Sequence, residues 1–168
     1  MKIPEYKFAL TEEILNKTDQ TDKELNAVQW LPTRAKLKDS GWDVRAAKEM
    51  MITPGEYVKI PLGFRALPPE GWWLDLRPRS SSFHKKHLHA LYGVIDETYE
   101  GEVCFCCQWL PEEFSGPAFK LEFGDKIGQL IPVRRQEMKV VLIPNEEYDK
   151  ETIKRGASRG TGGFGSTG

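Results

Sequence analysis

The residues best suited to chemistry lie at the C-terminal end of the chain, where arginine, hydroxyl and glycine residues surround a single aromatic ring. The last fourteen residues read RGASRGTGGFGSTG; seven are glycine or alanine, and Phe164 is the only large apolar side chain. Such a segment cannot bury enough surface to offset its ordering entropy, so alone in water it is predicted to be disordered. The aromatic ring near Arg155 and Arg159 favours a flap that orders over an anionic ligand.

Two phosphate-binding patterns occur in this tail, and neither has the required context. Gly160 to Gly165 matches G-x-G-x-x-G, and Gly160 to Thr167 nearly matches a P-loop. The first pattern needs a strand before it and a helix after it, and the second needs a lysine where Ser166 stands. Both interpretations are rejected, which leaves a flexible linker as the alternative to a ligand-binding flap.

Histidines and cysteines form two clusters that could suggest metal binding. The histidines are His84, His87 and His89, and the cysteines are Cys104, Cys106 and Cys107. Loop histidines at this spacing have no particular reason to converge on a metal ion, so a solvated basic loop is favoured. An odd, clustered set of cysteines in a strand-like run is a poor disulfide framework. It indicates buried thiols in a reducing, cytosolic compartment.

Length and composition indicate one globular domain. The chain has 168 residues, 39% of them hydrophobic and 29% charged, and its formal net charge is −1. The near-zero charge gives no general attraction to nucleic acid or to membranes. No apolar run approaches the ~18 residues of a membrane span. The start, MKIPEYKFAL, lacks the apolar region of a secretory signal, so we expect a cytoplasmic protein.

The elements that must position these residues are mostly short strands between glycine and proline turns. The predicted strands are Tyr57 to Leu62, Trp72 to Leu76, Val103 to Trp109, Ile127 to Val133 and Met138 to Ile143. Many short strands at this spacing predict an all-β barrel or jelly roll. Thr21 and Glu24 form a possible capping box for a short helix. We therefore divide the chain into an N-terminal extension (1–30), a β domain (31–154) and a C-terminal flap (155–168).

Five segments, in order, resemble the motifs of the trimeric deoxyuridine triphosphatase (dUTPase) family. They are LPTRAKLKDSGWDVRAA from Leu31, RPRSSS at 77–82, YGVIDETYEGE at 92–102, FGDKIGQL at 123–130 and RGTGGFGSTG at 159–168. The resemblance implies an all-β jelly roll, or distorted barrel, that assembles as a homotrimer with an exchanged C-terminal tail. It also implies hydrolysis of dUTP to dUMP and pyrophosphate with Mg²⁺ as cofactor.

The resemblance assigns the reacting groups to the third motif. Attack of water on a phosphoryl group needs a carboxylate to deprotonate the water and donors to hold the phosphate oxygens. Asp96 occupies the position of the family's catalytic carboxylate. Tyr99 matches the tyrosine whose ring packs on the deoxyribose and leaves no room for a 2′-hydroxyl. Gly93, Val94 and Ile95 belong to the hairpin whose backbone recognises the base.

The other motifs supply the remaining ligand contacts that the resemblance implies. Asp43 matches an aspartate that supports Mg²⁺ through water, and Mg²⁺ takes most of its other ligands from substrate phosphates and water. Phe164 would stack on the uracil, and Asp125 is interpreted as a structural turn residue. The expected phosphate and tail contacts are Arg79, Ser80, Ser81, Gln129, Arg159, Gly165, Ser166 and Thr167.

Departures from the family pattern leave two alternatives open. Ser81, Thr98 and Glu100 replace residues common in the family, and Pro111 to Pro117 resembles an insertion. A dCTP deaminase of the same fold would carry a glutamate about ten residues after the Ile-Asp aspartate, where Cys106 stands here. The second alternative is a non-catalytic binding or regulatory protein on the same scaffold, with residues 1–30 or the insertion contacting a protein partner.

Overall fold

The computed structural model describes residues 3–19 and 26–156, and most of its elements are short strands. In chain order these elements are β1 (Lys7–Leu10), α1 (Glu12–Asp19), α2 (Ala27–Trp30), β2 (Trp42–Arg45), β3 (Met50–Ile52), β4 (Tyr57–Pro61), β5 (Phe64–Leu67), β6 (Trp72–Pro78), α3 (Ser80–His84), β7 (Leu88–Ala90), β8 (Gly93–Ile95), β9 (Cys104–Trp109), β10 (Phe119–Leu121), β11 (Lys126–Arg134) and α4 (Asn145–Lys154).

The described strands pair antiparallel in four sheets, which confirms the predicted all-β class. The largest sheet has the order β2-β11-β6-β8, and a second has the order β4-β9-β7. Two-stranded pairs, β1-β5 and β3-β10, complete the set. Most neighbours are distant in sequence, so the sheet order brings together segments that the chain separates by dozens of residues.

Alternating side chains explain why these segments are strands and where the core lies. In β4, Val58 and Ile60 are buried while Tyr57 and Lys59 are exposed. Inward-facing residues of the larger sheets meet in one apolar cluster, and their burial removes apolar surface from water. The same alternation separates the cysteines of β9, of which only one points fully into this cluster.

The prediction of buried thiols is therefore correct for one cysteine and wrong for the other two. Cys107 is buried, and burial raises the pKa of its thiol to about 12. Cys104 and Cys106 face the other side of β9 and are half-buried. Burial is also the main cause that raises the pKa of Cys104. All three are free thiols in the structure.

Four of the five predicted strands are present, and the fifth is wrong. Residues 135–144 contain no strand in the described structure, although Met138 to Ile143 has a strand-like sequence. A strand needs a hydrogen-bonding partner as well as a suitable sequence, and no other described segment of this chain pairs with this one. The segment therefore has a strand-like apolar pattern but no strand partner among the described residues.

The chain divides into two compact units, one ending at Arg135 and the other starting at Gln136. In the second unit α4 begins after Pro144, whose fixed φ suits a helix start, and Glu146 and Glu147 lie in its first turn. These acidic side chains are favourably placed near the positive end of the helix dipole. No described helix has the length and apolar character needed to cross a membrane.

The N-terminal extension is integrated into the first unit more closely than its composition suggests. β1 pairs with β5, and the side chains of Ile14 and Trp30 are almost completely buried. The Trp30 indole donates a hydrogen bond to the Leu62 carbonyl (2.9 Å) and stacks on Phe123. Gly63 (φ +76°) lies beneath both side chains, and a Cβ there would collide with Ile14 and approach the indole.

A capping box that was not predicted is present in this extension, at Asn26 and Gln29. Asn26 and Gln29 exchange side-chain and backbone hydrogen bonds of 2.9 Å at the start of α2. Thr21 and Glu24, where the sequence analysis placed the box, lie outside the described residues. The Asn-x-x-Gln spacing carries the same physical signal, because either pair satisfies unpaired N–H groups at a helix start.

Trp30→Ala is expected to destabilise the protein strongly, because it removes a buried indole, its stacking partner and a buried hydrogen bond. Large-to-alanine changes of this kind cost about 3–5 kcal/mol in free energy of unfolding. Urea denaturation followed by circular dichroism measures the change. Val28→Ala is the matched control, because Val28 lies in the same helix but is exposed. Equal unfolding midpoints for the two variants would show that the extension does not stabilise the core.

Candidate active site

The first element of the site is the turn from β6 into α3, which carries Arg79. The Arg79 backbone N–H lies 3.4 Å from the Ile127 carbonyl, and the buried Ser82 hydroxyl donates to the same oxygen at 2.5 Å. These bonds fix α3 against β11. Ser80, which is exposed, and Ser81, which is half-buried, form the first turn of α3.

Asp43 joins three separate segments of the chain through its carboxylate. Its Oδ1 lies 2.9 Å from Arg79 Nε, and its Oδ2 lies 3.1 Å from Lys126 Nζ. The Asp43 side chain is only 12% exposed, so the two cations compensate a charge that is largely withdrawn from water. Two cations on one carboxylate leave a net positive charge at this face, which suits an anionic ligand.

Gln129 lies beside Asp43 and the two cations. In the β-sheet register it stands between Asp43 on β2 and Arg77 on β6. Its side-chain amide donates to the Pro78 carbonyl at 3.0 Å. A Cβ on Gly41 would overlap the Gln129 side chain, so a larger residue at position 41 would displace the Gln129 amide.

Asp96 follows β8 at the opposite edge of the same sheet. Gly93, Val94 and Ile95 pair with β6, and Ile95 is buried, so the strand is anchored where the Asp96 turn begins. Val94 is 64% exposed, on the opposite face from Ile95. The Asp96 carboxyl is exposed and borders a groove of about 290 Å³ that Trp72, Trp73 and Arg135 also line.

Glu97 fixes the turn that carries Asp96. Its carboxylate accepts hydrogen bonds from the Gly71 backbone N–H and from Arg135, both at 2.6 Å. These bonds lower the pKa of Glu97 below its ordinary value, and the bond from Gly71 has the largest effect. Because the bonds tie the turn to two other loops, the backbone next to Asp96 is held in place.

Tyr99 completes this edge of the sheet. Its backbone N–H donates to the Asp96 carbonyl (3.1 Å), and its hydroxyl donates to the Glu102 carbonyl (3.0 Å). The ring lies over Gly101, where a Cβ would collide with it. Tyr99 is 42% exposed, so part of the ring remains accessible to a ligand.

The structure brings Asp43, Arg79 and Gln129 together but leaves Asp96 apart from them. Three strand spacings across the sheet, and the four residues along the chain from Tyr92 (opposite Arg77) to Asp96, put Asp96 about 20 Å from Asp43. One chain therefore presents two groups of candidate residues at opposite corners of one sheet. The predicted tail residues Arg159, Phe164, Gly165, Ser166 and Thr167 lie outside the described residues.

The clustered histidines and cysteines and Asp125 are the other residues that the sequence singles out. Among the described residues, no three or more His, Cys, Asp or Glu side chains are grouped to hold a metal ion. His89 lies in β7 with its ring edge-on to Phe83, and His84 lies in α3. Asp125 accepts from the Glu122 backbone N–H and pairs with Lys86, as expected for a structural turn residue.

Comparison with known proteins decides the family. The dUTPase family model matches residues 29–168. The chain belongs to the dUTPase family. This dUTPase-family chain is 36% identical over 152 residues to a deoxyuridine 5′-triphosphate nucleotidohydrolase of Hahella chejuensis, covering 88% of this chain and 92% of the relative. It is 33% identical over 144 residues to that of Yarrowia lipolytica, covering 86% and 85%.

A solved structure supports the same fold for this dUTPase-family chain. A mutant dUTPase of Staphylococcus bacteriophage 80alpha with dUpNHpp superposes with a TM-score of 0.73 over 98% of each chain, at 20% identity. Lys126 and Arg77 were not selected from the sequence. Lys126 stands inside the fourth motif and Arg77 is the first residue of the second, so membership in a motif was a usable signal for both.

Proposed function

We propose that this chain hydrolyses dUTP to dUMP and pyrophosphate. The observation that carries the proposal is the Asp43 carboxylate shared by Arg79 and Lys126 beside Gln129. It supports a phosphate site because it places two cations and an amide at one face without an excess of negative charge. Family membership and the relatives named as deoxyuridine 5′-triphosphate nucleotidohydrolases support dUTP as the nucleotide.

The proposed reaction is in-line attack of water on the α-phosphorus. Asp96 accepts a proton from the attacking water and directs the water's lone pair at the phosphorus. The Asp96 carboxyl is exposed at the rim of a groove, which leaves space for the water and the substrate. Arg79 and Gln129 hold phosphate oxygens and stabilise the charge that moves onto the leaving pyrophosphate. The bond to the α-phosphorus forms as the bond to the bridging oxygen breaks.

Magnesium fits the donor chemistry of this site only as an ion carried mainly by the triphosphate. Arg79, Lys126, Gln129 and Asp43 form what we call the phosphate cluster. Asp43 is the one carboxylate among these four residues, and both its oxygens already face cations. A single shared carboxylate suits contact through water, with the substrate supplying the other ligands. The bound ion would neutralise charge on the triphosphate.

We propose that the complete site is shared between subunits of a homotrimer. An α-phosphate cannot contact the phosphate cluster of one chain and the Asp96-bound water of the same chain across about 20 Å, because a general base acts at hydrogen-bond distance. A neighbouring subunit that presents its Asp96 edge to the Asp43 corner removes this difficulty. The C-terminal tail, with Arg159 and Phe164, closes over the shared site.

Tyr99 is proposed to exclude ribonucleotides, and Gly101→Ala tests this without removing the tyrosine. The new methyl group would displace the ring that lies over residue 101. We expect kcat/KM for dUTP to fall by up to about 10²-fold, as for other small misplacements in active sites, and UTP to be excluded less well. Gly116→Ala is the control, because its Cβ meets only the Glu113 carbonyl at 3.4 Å. Unchanged dUTP and UTP kinetics in Gly101→Ala would contradict this role.

The direct test of function is incubation with dUTP, dCTP, dTTP and UTP in the presence of Mg²⁺, with products separated by anion-exchange chromatography. We expect dUMP and pyrophosphate from dUTP alone. Orthophosphate release would contradict the reaction proposed. Conversion of dCTP to dUTP would identify a deaminase instead, and tight binding of dUTP without turnover would identify a binding protein.

A further inference from the structure

Asp75 is the only charged residue that is buried in the part of the chain that the structure describes. It lies on β6, opposite Val94 of β8 and Ile131 of β11. A buried carboxylate is unfavourable unless a cation or hydrogen-bond donors compensate it. The cation here is Arg77, two residues further along β6 on the same face, with Nε 2.7 Å from Asp75 Oδ2.

Arg77 connects Asp75 to the strand that leads to Asp96. The guanidinium carbon lies 4.9 Å from the centre of the Tyr92 ring, within the range of a cation–π contact. Tyr92 immediately precedes Gly93, which pairs with Leu76, so the β6-β8 register places Tyr92 opposite Arg77. Asp75 therefore orients the guanidinium, and the guanidinium covers one face of the Tyr92 ring.

The position of Tyr92 makes this contact relevant to the ligand. Tyr92 lies on the short connection between β7 and β8. Its side chain is 70% exposed, so packing against the core contributes little to holding it in place. Resting on the proposed function, we infer that Arg77 is a positioning residue that acts through Tyr92 on the Gly93–Ile95 strand and thereby on nucleotide affinity. Asp75 is the anchor that orients Arg77.

The test compares Arg77→Met, Arg77→Lys, Tyr92→Leu and the double variant Arg77→Met/Tyr92→Leu in the full-length protein. Arg77→Met is expected to raise KM for dUTP and Kd for dUpNHpp about threefold to tenfold, because it removes a cation–π contact at a largely exposed ring. The value of kcat should be nearly unchanged. Arg77→Lys retains a cation over the ring and should recover at least half of the lost affinity. Arg134→Met, an exposed arginine in the same sheet, is the control.

The double variant separates positioning from a general structural effect. If Arg77 acts through Tyr92, the double variant should bind dUpNHpp no more weakly than whichever single variant has the lower affinity. Both changes remove the same Arg77–Tyr92 contact, so their effects should not add. Additive losses of affinity, or a lower kcat with unchanged KM that follows reduced thermal stability, would overturn the inference. If the unchanged protein does not hydrolyse dUTP, the proposed function fails. If it does and Arg77→Met matches Arg134→Met, only the inference fails.

Discussion

Asp96→Asn is expected to lower kcat for dUTP hydrolysis by about 10²–10⁴-fold, the usual contribution of a general base. Asparagine keeps the shape of the side chain but cannot accept the proton from water. The Asp96 side chain is exposed, so the substitution leaves the core intact. Binding of dUpNHpp, measured by isothermal titration calorimetry, should remain within a few-fold of the unchanged protein. Steady-state release of pyrophosphate gives kcat.

Glu100→Gln is the matched control for this experiment. It removes one negative charge from the same loop at an exposed residue with no proposed role in the reaction. Its kcat should stay close to that of the unchanged protein, which separates loss of the base from a general change in local charge. A loss smaller than tenfold in Asp96→Asn would remove Asp96 from the role of base.

Deletion of residues 156–168 is expected to reduce turnover by about 10²-fold or more, because it removes several proposed phosphate donors together. The deleted segment carries Arg159 and Phe164 and follows α4. The proposed trimer should persist, since the β-sheets and their buried core are untouched. Sedimentation velocity measures the assembly, and pyrophosphate release measures the turnover.

Mixing Asp96→Asn with the protein that lacks residues 156–168 tests whether one active site is built from different chains. After unfolding and refolding together in equal amounts, random trimers should have about one site in four with both an intact Asp96 and an intact tail, if these come from different chains. Activity should therefore return to about a quarter of that of the unchanged protein. Activity that stays at the level of the separate variants, in trimers that differently tagged chains show to be mixed, would contradict the shared site.

Four of the eleven described strands could be predicted, and the motifs could be recognised, because their signals are local. Alternation of apolar and polar residues marks β4, and the third motif is contiguous in the sequence. The contacts of Asp43 could not be predicted in the same way. Arg79 lies 36 residues and Lys126 lies 83 residues away, and only the order β2-β11-β6 brings them to one carboxylate. Local sequence does not specify which strands become neighbours.

The incorrect strand prediction has a related cause. Met138 to Ile143 has the composition of a strand, yet pairing depends on a second segment with a free edge. Sequence alone does not say whether that edge exists in the same chain. The capping box was missed for a simpler reason, since the pattern at Asn26 and Gln29 is as readable as the one at Thr21 and Glu24.

The N-terminal contacts have a consequence for how the boundaries of this protein are drawn. The family match begins at residue 29, yet β1 and the buried Ile14 belong to the same folded unit as the strands that follow. The stretch that the family model matches therefore begins inside the compact unit that the structure describes, and not at its boundary. Recombination or gene fusion that kept only residues 29–168 would cut through packed side chains. In this protein the boundary of the family match and the boundary of the compact unit are different.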